Sequence, residues 1–377
     1  MKYWHYSVLD DVCLIRGLFY TINCVFQRQG TLDMFEVFAS TPEGMGPGDI
    51  GAYAARAEAM GFNGLQVPDA VHDGLLLSAM ALNATEKLTV TTAVLVAFAR
   101  SPMVTAIAAW DLQEMSKGRF EVGLGTQVQA NIEKRYSARW DSPVPQLREY
   151  VQAMKAIFHS FQTGERLSFE GKHYTLTKLQ PFFNPGPIEH PDIPILCGAV
   201  GPAMTTMVGR IADGMITHPT NTPPEYIREV CLPRLQGGFE RADRSGDDFK
   251  LVLGPLTATG KDKQQVAVEW EKMRNLLGFL YSTPAYWPSL ELFGWQEKGQ
   301  QLLDMTRQGN WQKMPSIITD EMLSKFVPCG TYGEIAQIFH SRFGGLAHRI
   351  TFPMPENPID DEVCGVAVRQ LQESITA

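Results

Sequence analysis

The chain contains no GxSxG, HExxH or Walker-type phosphate-loop sequence, and no group of His, Cys, Asp or Glu at metal-ligand spacing. Serine-hydrolase, zinc-peptidase and P-loop chemistry are therefore set aside, and no metal is expected. A bound organic cofactor is expected to carry the hard chemistry instead. Cysteine is sparse: six residues, at 13, 24, 197, 231, 329 and 364, none in a CxxC pair. That pattern supplies neither a zinc site nor a dense disulfide framework, and a reducing, cytoplasmic compartment is expected. No run of Lys and Arg is long enough to follow a nucleic-acid backbone, and the net charge is −8, so nucleic acid is not expected as a partner. An unbroken apolar run of membrane-spanning length is missing too. In VCLIRGLFYTINCVFQRQ the apolar stretch is interrupted by Arg16 and lacks a small-residue cleavage site after it. Residues 1–33 are expected to be an extension outside the fold, with Met34 opening a single domain to residue 377, and no membrane partner is expected.

What is present is ordinary globular composition: 377 residues, 44% hydrophobic, 20% charged, with 33 glycines and 24 prolines. The length suits two domains or one large α/β barrel. From Met34 onward, apolar runs alternate with segments of helical periodicity. Strand-like runs lie at 34–39, 62–68, 88–98, 120–125, 193–199, 214–218, 249–258 and 348–353. They read as continuous apolar runs, which parallel strands buried on both faces require. Helices are expected after most of them, among them one opened by Pro102, a long one from about 145 to 161, and one over 262–280. Eight βα units without a composition break predict a closed (β/α)8 TIM barrel, ahead of a doubly wound sheet. Two insertions interrupt it: about 126–192 after strand four, holding the hairpin-like SFEGKHYTL, and about 281–328 between strands seven and eight. Inserts of this kind form lids over active faces.

In such a barrel the chemistry sits at the C-terminal ends of the strands. Strand two ends in VPDAVH, where Asp69 either caps a turn or offers a carboxylate, and His72 is either a solvated loop residue or a group titrating near neutrality. Strand four ends in GLGTQV. A dinucleotide fingerprint needs a third glycine, and position 128 is Val, so Gly123 and Gly125 are expected instead to clear space for a flat ring. Strand five ends in CGAVGPAMTT, where Pro202 suits a first helical turn and free backbone N–H groups could hold a phosphate.

Five segments, in this order and spacing, resemble the bacterial luciferase-like family of flavin and deazaflavin oxidoreductases: GFNGLQVPD (61–69), TTAVLVAFARSPMVTA (91–106), LQEMSKGRFEVGLGTQ (112–127), IPILCGAVGPAM (193–204) and ADGMITHP (212–219). STPAYWPSLELFGW (282–295) and ITDEML (318–323) are similar to its branch that uses the deazaflavin coenzyme F420. The resemblance implies a (β/α)8 barrel with the ring in its mouth and a non-proline cis peptide at Ala93–Val94, forming a bulge behind that ring. It implies Asp69 hydrogen-bonding the cofactor, polar contacts from Thr126 and Asn131 next to Gly125, and the cofactor phosphate on Gly198, Ala199, Val200, Gly201, Pro202 and Ala203. His72 and His218 are the candidates to exchange a proton with substrate.

The sequence also departs from the family. Many deazaflavin enzymes of this fold carry His directly after the strand-two Asp, where this chain has Ala70. In one sugar-phosphate dehydrogenase branch an acid follows shortly after the strand-four Gly-Thr, where this chain has Gln127 and Val128, and basic residues to clamp a sugar phosphate are not evident, so such a substrate is not expected. The expected activity is F420-dependent hydride transfer on a small organic molecule, apolar or aromatic in view of the Met- and aromatic-rich loops. One alternative is an FMN monooxygenase supplied by a partner reductase. The other is a flavin- or deazaflavin-binding protein without turnover, suggested by Ala70. The family is frequently homodimeric.

Overall fold

The computed structural model describes residues 34–42 and 44–373; the expected extension at 1–33 lies outside them. Eight strands form the core of the domain. They are β1 (Glu36–Ser40), β2 (Gly64–Val67), β3 (Thr89–Thr92, resuming at Leu95–Val96), β4 (Phe120–Gly125), β5 (Ile195–Ala199), β6 (Gly214–Thr217), β7 (Lys250–Leu253) and β8 (Arg349–Pro353). Every pairing between neighbours is parallel. The Glu36↔Arg349 to Ser40↔Pro353 register joins β1 to β8 and closes the barrel. The (β/α)8 expectation holds.

The local signals act as read. Helix α1 (Ile50–Met60) ends on Gly61, whose φ of 91° a side chain would disfavour. Asp49 stands at its start without making a side-chain cap. In α2 (Gly74–Asn83) the Asp73 carboxylate takes the Leu75 and Leu76 N–H groups. Ser101 and Pro102 open α3 (Pro102–Met115). The first insert carries α4 (Gln129–Lys134), α5 (Pro143–Thr163) and the antiparallel hairpin of Phe169–Glu170 with Thr175–Leu176. Beyond it stand α6 (Pro202–Ile211) and α7 (Leu232–Arg241).

The second insert begins earlier than its sequence suggests. β7 stops at Leu253, and Ala258–Gly260 pairs instead with Cys329–Thr331 in a small parallel sheet. From there α8 (Lys263–Tyr281) leaves the barrel. Leu277 and Tyr281 join Leu290, Leu302, Met314 and Phe326 in an apolar cluster separate from the main core. α8 buries only Val266, Leu277, Gly278 and Tyr281 along its length, too narrow an apolar stripe to flank a barrel. The short helices α9 (Pro288–Leu292), α10 (Gln296–Arg307) and α11 (Asp320–Phe326) complete the insert. The helix packed on the main core after β7 is α12 (Ile335–Phe343), through Ile335, Phe339 and Phe343; α13 (Asp361–Gln372) follows β8.

Strand alternation sends every second side chain into the barrel. At the N-terminal end the interior is ionic. Arg349 donates from Nη1 and Nη2 to Glu121 at 2.5 and 3.1 Å, and Lys250 reaches Glu121 at 3.0 Å. Glu36 accepts from Arg349 Nε at 2.8 Å, and the guanidinium lies 3.8 Å from the Phe38 ring centroid. Above this plug, Leu196, Ile216 and Val252 form an apolar interior cluster, with Ala93 and Val94 against it. Together these layers give the mouth an apolar floor.

Candidate active site

The floor is shaped by the break in β3. The Ala93–Val94 peptide is cis, at the position implied by the resemblance, and the strand resumes at Leu95. Val94 lies between β4 and β5: a Cβ at Gly125 would come within 2.3 Å of Val94 Cγ2, and one at Gly198 within 3.4 Å of Val94 Cγ1. Ala93, Val94, Gly125 and Gly198 are thus gathered in one place. The expected task of the glycine pair is changed. A Cβ at Gly123 would fall 1.8 Å from the Thr92 carbonyl oxygen and 2.8 Å from Ile216 Cδ1, so that glycine serves strand contact below the mouth. Gly125 makes room for Val94.

Asp69, at the end of β2, has a side chain only 5% exposed, and both of its oxygens are engaged. Oδ1 accepts from Gly74 N at 3.0 Å and Arg100 Nη2 at 3.2 Å; Oδ2 accepts from Val96 N at 2.9 Å and Arg100 Nη1 at 2.8 Å. Four donors match the four lone-pair positions of a carboxylate. Arg100 also donates to Asp73 at 2.7 Å. Burial opposes ionisation of Asp73, but the Leu76 N–H, Arg100 and the Leu75 N–H outweigh it and hold the carboxyl below its usual range. Burial likewise opposes the Arg100 charge, and Asp69 with Asp73 outweighs that, raising its pKa. The cluster ties the β2–α2 loop to the resumed end of β3.

The β5–α6 turn is held from behind. Asn221 Nδ2 donates to the Ala199 carbonyl at 2.9 Å, and the Tyr226 hydroxyl to that of Val200 at 3.1 Å. Gly201 occupies the N-cap of α6, so no side chain covers the free N–H groups of the first turn, which Pro202 and Ala203 begin. Thr126 and Asn131 flank Gln127, which takes a left-handed φ of 60°. The Gln127 Oε1 accepts from Val128 N at 3.0 Å and Asn131 Nδ2 at 3.1 Å, while the Thr126 hydroxyl donates to the Gln127 carbonyl at 3.1 Å.

His218 follows β6. Its Nδ1 lies 2.8 Å from the Thr220 hydroxyl and accepts the Thr220 N–H at 3.3 Å, and its ring stacks on Tyr286 of the second insert. Burial lowers its pKa to about 4. Tyr281 also reaches this loop, donating to the Thr220 carbonyl at 3.1 Å. His72 stands apart from this group: it is half-buried in the β2–α2 loop, near Gly46.

Arg100, Gln66, Asn221 and Tyr226 are the site residues that sequence reasoning missed. Gln66 is the one polar side chain within the apolar run LQV of β2, a signal open to reading. The Gln66 Nε2, the Asn221 Oδ1 and the Thr41 Oγ1 at the end of β1 are buried without a hydrogen-bond partner among the described residues. Buried polar atoms of this kind call for a partner. An apolar floor, unpaired polar atoms at the strand ends and an uncapped helix N-terminus fit a flat heterocycle with an anionic tail. Among the described residues no helix is long and apolar enough to cross a membrane, and no group of His, Cys, Asp or Glu could hold a metal ion.

Known proteins bear on this arrangement. An uncharacterized protein of Mycobacterium tuberculosis is 38% identical over 79% of this chain and 87% of its own. The F420-dependent glucose-6-phosphate dehydrogenase of Nakamurella multipartita is 31% identical over 60% of this chain and 68% of its own. The 5,10-methylenetetrahydromethanopterin reductase of Archaeoglobus fulgidus is 26% identical over 63% and 68%. Among solved structures, the coenzyme F420-dependent tetrahydromethanopterin reductase of Methanopyrus kandleri superposes with a TM-score of 0.75 at 19% identity, over 90% of this chain and all of that one. The FMN complex of the oxygenating constituent of 3,6-diketocamphane monooxygenase from Pseudomonas putida gives 0.62 at 11% identity, over 90% and 97%. Residues 28–348 match the model of the luciferase-like monooxygenase family. The chain belongs to that family and is an oxidoreductase.

Proposed function

We propose that this chain is an F420-dependent oxidoreductase carrying out two-electron hydride transfer on a small organic substrate. The observation that carries the reading is the mouth itself: an apolar floor in which Val94 lies between Gly125 and Gly198, next to the uncapped start of α6. Relatives named as F420-dependent glucose-6-phosphate dehydrogenase, and the solved structure named as a coenzyme F420-dependent reductase, support this cofactor. Bound F420 supplies the hydride chemistry.

The chain's own residues do the rest. Ala93 and Val94 form the surface behind the ring, and the phosphate lies on the Gly198–Ala203 segment, held by the free backbone N–H groups of the β5–α6 turn, to which Pro202 contributes none, and by the favourable end of the α6 dipole. Asp69, with its lone pairs used by Gly74, Val96 and Arg100, keeps the β2 and β3 ends in register and acts as a positioning residue. Thr126 and Asn131 line the β4 side, and the second insert covers the β6 side through Tyr281 and Tyr286. A mouth bordered by Tyr286 suits an apolar or aromatic substrate.

An FMN monooxygenase supplied by a reductase is the second reading, favoured by the FMN-bound neighbour of the same fold. Titration with F420 and with FMN, followed by ring fluorescence, separates the two, and candidate acceptors are then assayed with the tighter binder. Tight binding of FMN with none of F420 would overturn the proposal. Binding without turnover across a broad screen would point to a cofactor-binding protein instead.

A further inference from the structure

One edge of the His218 imidazole is committed and the other is not. A main-chain N–H can only donate, so the Thr220 N–H at 3.3 Å requires a lone pair on Nδ1; with Nδ1 unprotonated, the Thr220 hydroxyl at 2.8 Å is the donor in the second contact and shares that lone pair. In a neutral ring the proton then resides on Nε2. No described residue takes a hydrogen bond from that atom. The Tyr286 ring lies parallel at 4.1 Å between centroids and 12° between planes, which sets the plane of the imidazole. Tyr281 anchors the Thr220 carbonyl, so the loop that fixes the tautomer is itself tethered to the insert. Alternation along β6 puts Ile216 inside the barrel, against Gly123, and His218 two residues on sits on the same face, at the mouth.

We propose that His218 is a neutral hydrogen-bond donor, presenting Nε2–H to the oxygen of a carbonyl- or hydroxyl-bearing substrate, and that it does not exchange a proton with that substrate. The inference rests on the reading of the barrel mouth as the active site. The substrate class it names is an uncharged aldehyde, ketone or alcohol whose oxygen gains electron density during the reaction; a fixed dipole serves such an oxygen without being reorganised. When a carbonyl is reduced, its carbon takes the hydride and its oxygen takes a proton from water; when an alcohol is oxidised, its carbon gives up the hydride and its oxygen releases the proton to water. The environment agrees with a neutral ring. The elements against the imidazole are its own loop, Pro219–Asn221, and the insert segment with Tyr286. Their titratable groups are Tyr286 and, at the Thr220 carbonyl, Tyr281, both kept protonated because burial raises their pKa. Burial is also what lowers that of His218.

The test has two parts. Long-range proton–nitrogen correlation on histidine-labelled protein, assigned by comparison with His218→Gln, reads the tautomer without any cofactor. The expected result is one ring with its proton on Nε2 that does not titrate between pH 5.5 and 8. A His218 protonated on Nδ1, or one that becomes imidazolium near neutral pH, would overturn the proposal. On the enzyme with its cofactor, His218→Ala should lower kcat on the order of 10²-fold, with the affinity for F420 unchanged. His218→Gln, which restores an N–H donor, should recover part of the loss, and the pH profile of the wild type should lack a limb from this group. Equal losses in the two variants with the expected tautomer would reduce His218 to a structural role and overturn the donor assignment. Failure to bind F420 with the tautomer intact would sink the functional reading instead, so the two failures are distinguishable.

Discussion

Asp69 and Arg100 meet in a two-pronged ion pair, Nη1 to Oδ2 at 2.8 Å and Nη2 to Oδ1 at 3.2 Å, in which each carboxylate oxygen also accepts one backbone N–H. Removing one partner of so enclosed a pair leaves the other charge uncompensated. Arg100→Ala should cost about 3 kcal/mol in urea unfolding. Arg100→Lys should recover little, because an ammonium lacks the planar fork that spans both oxygens. Asp69→Asn is not conservative here: in either orientation its –NH2 faces one backbone N–H and one Arg100 N–H. It should destabilise about as much as the Arg100 variants and weaken F420 binding as the strand ends lose register. Unchanged unfolding midpoints would show that the network is not structural.

The two glycines of β4 make opposite predictions about rescue. In Gly125→Ala the new methyl meets the Val94 side chain at 2.3 Å, and in Gly123→Ala it meets the Thr92 carbonyl at 1.8 Å. A side chain can be shortened and a backbone cannot. Val94→Ala should therefore restore most of the stability lost in Gly125→Ala, with a coupling of about 1–2 kcal/mol in the double-mutant cycle. The same change should leave Gly123→Ala unimproved. Melting temperatures of the five variants, singles and doubles, decide it.

The contrast between those glycines marks where sequence reading reached its limit. Apolar runs made all eight strands legible, and β4 was read with its observed ends, because both faces of a barrel strand are buried. The place of the cis peptide came from a motif match, since nothing in Ala-Val alone asks for it. Arg100 was hidden in FAR at the start of α3, where a lone Arg reads as a solvated residue. Its partners lie 31 and 27 residues away, a separation that no local pattern encodes. Gln66 sat inside a run taken as strand and drew no further question. α8 was assigned to the barrel because it follows the seventh strand-like run, while its narrow apolar stripe argued against that. The helical period was correct, and the partner was wrong.

Acid should find the ionic plug at the base of the barrel. Burial works against the Glu121 charge, but Arg349, Lys250 and the Thr91 hydroxyl outweigh it and take the carboxyl down from 4.5 to about 2. A carboxyl whose folded pKa is lowered stabilises the fold above its unfolded value, and that contribution is lost as pH falls from about 4.5 toward 2. Two and a half units correspond to about 3 kcal/mol. Glu121→Gln should therefore be weaker than the wild type by about that amount at pH 7, and the gap should narrow at pH 3. A constant gap between urea midpoints at the two pH values would mean that the Glu121 charge is not what the plug needs.

Ala203, exposed in the first turn of α6, separates stability from cofactor binding by sign. A carboxylate at a helix N-terminus interacts favourably with the dipole and with free N–H groups, so Ala203→Glu should raise stability by about 0.5 kcal/mol. If the same N–H groups hold the cofactor phosphate, the new charge also competes with and repels it, and F420 affinity should fall on the order of tenfold, less at high salt. Ala203→Lys should do the reverse: a small loss of stability with no loss of affinity. Thermal unfolding and fluorescence titration on the same preparations give both signs. A more stable Ala203→Glu protein that binds F420 unchanged would remove the phosphate from this turn, because the gain in stability would show the carboxylate on those N–H groups while the cofactor's anion did not meet it.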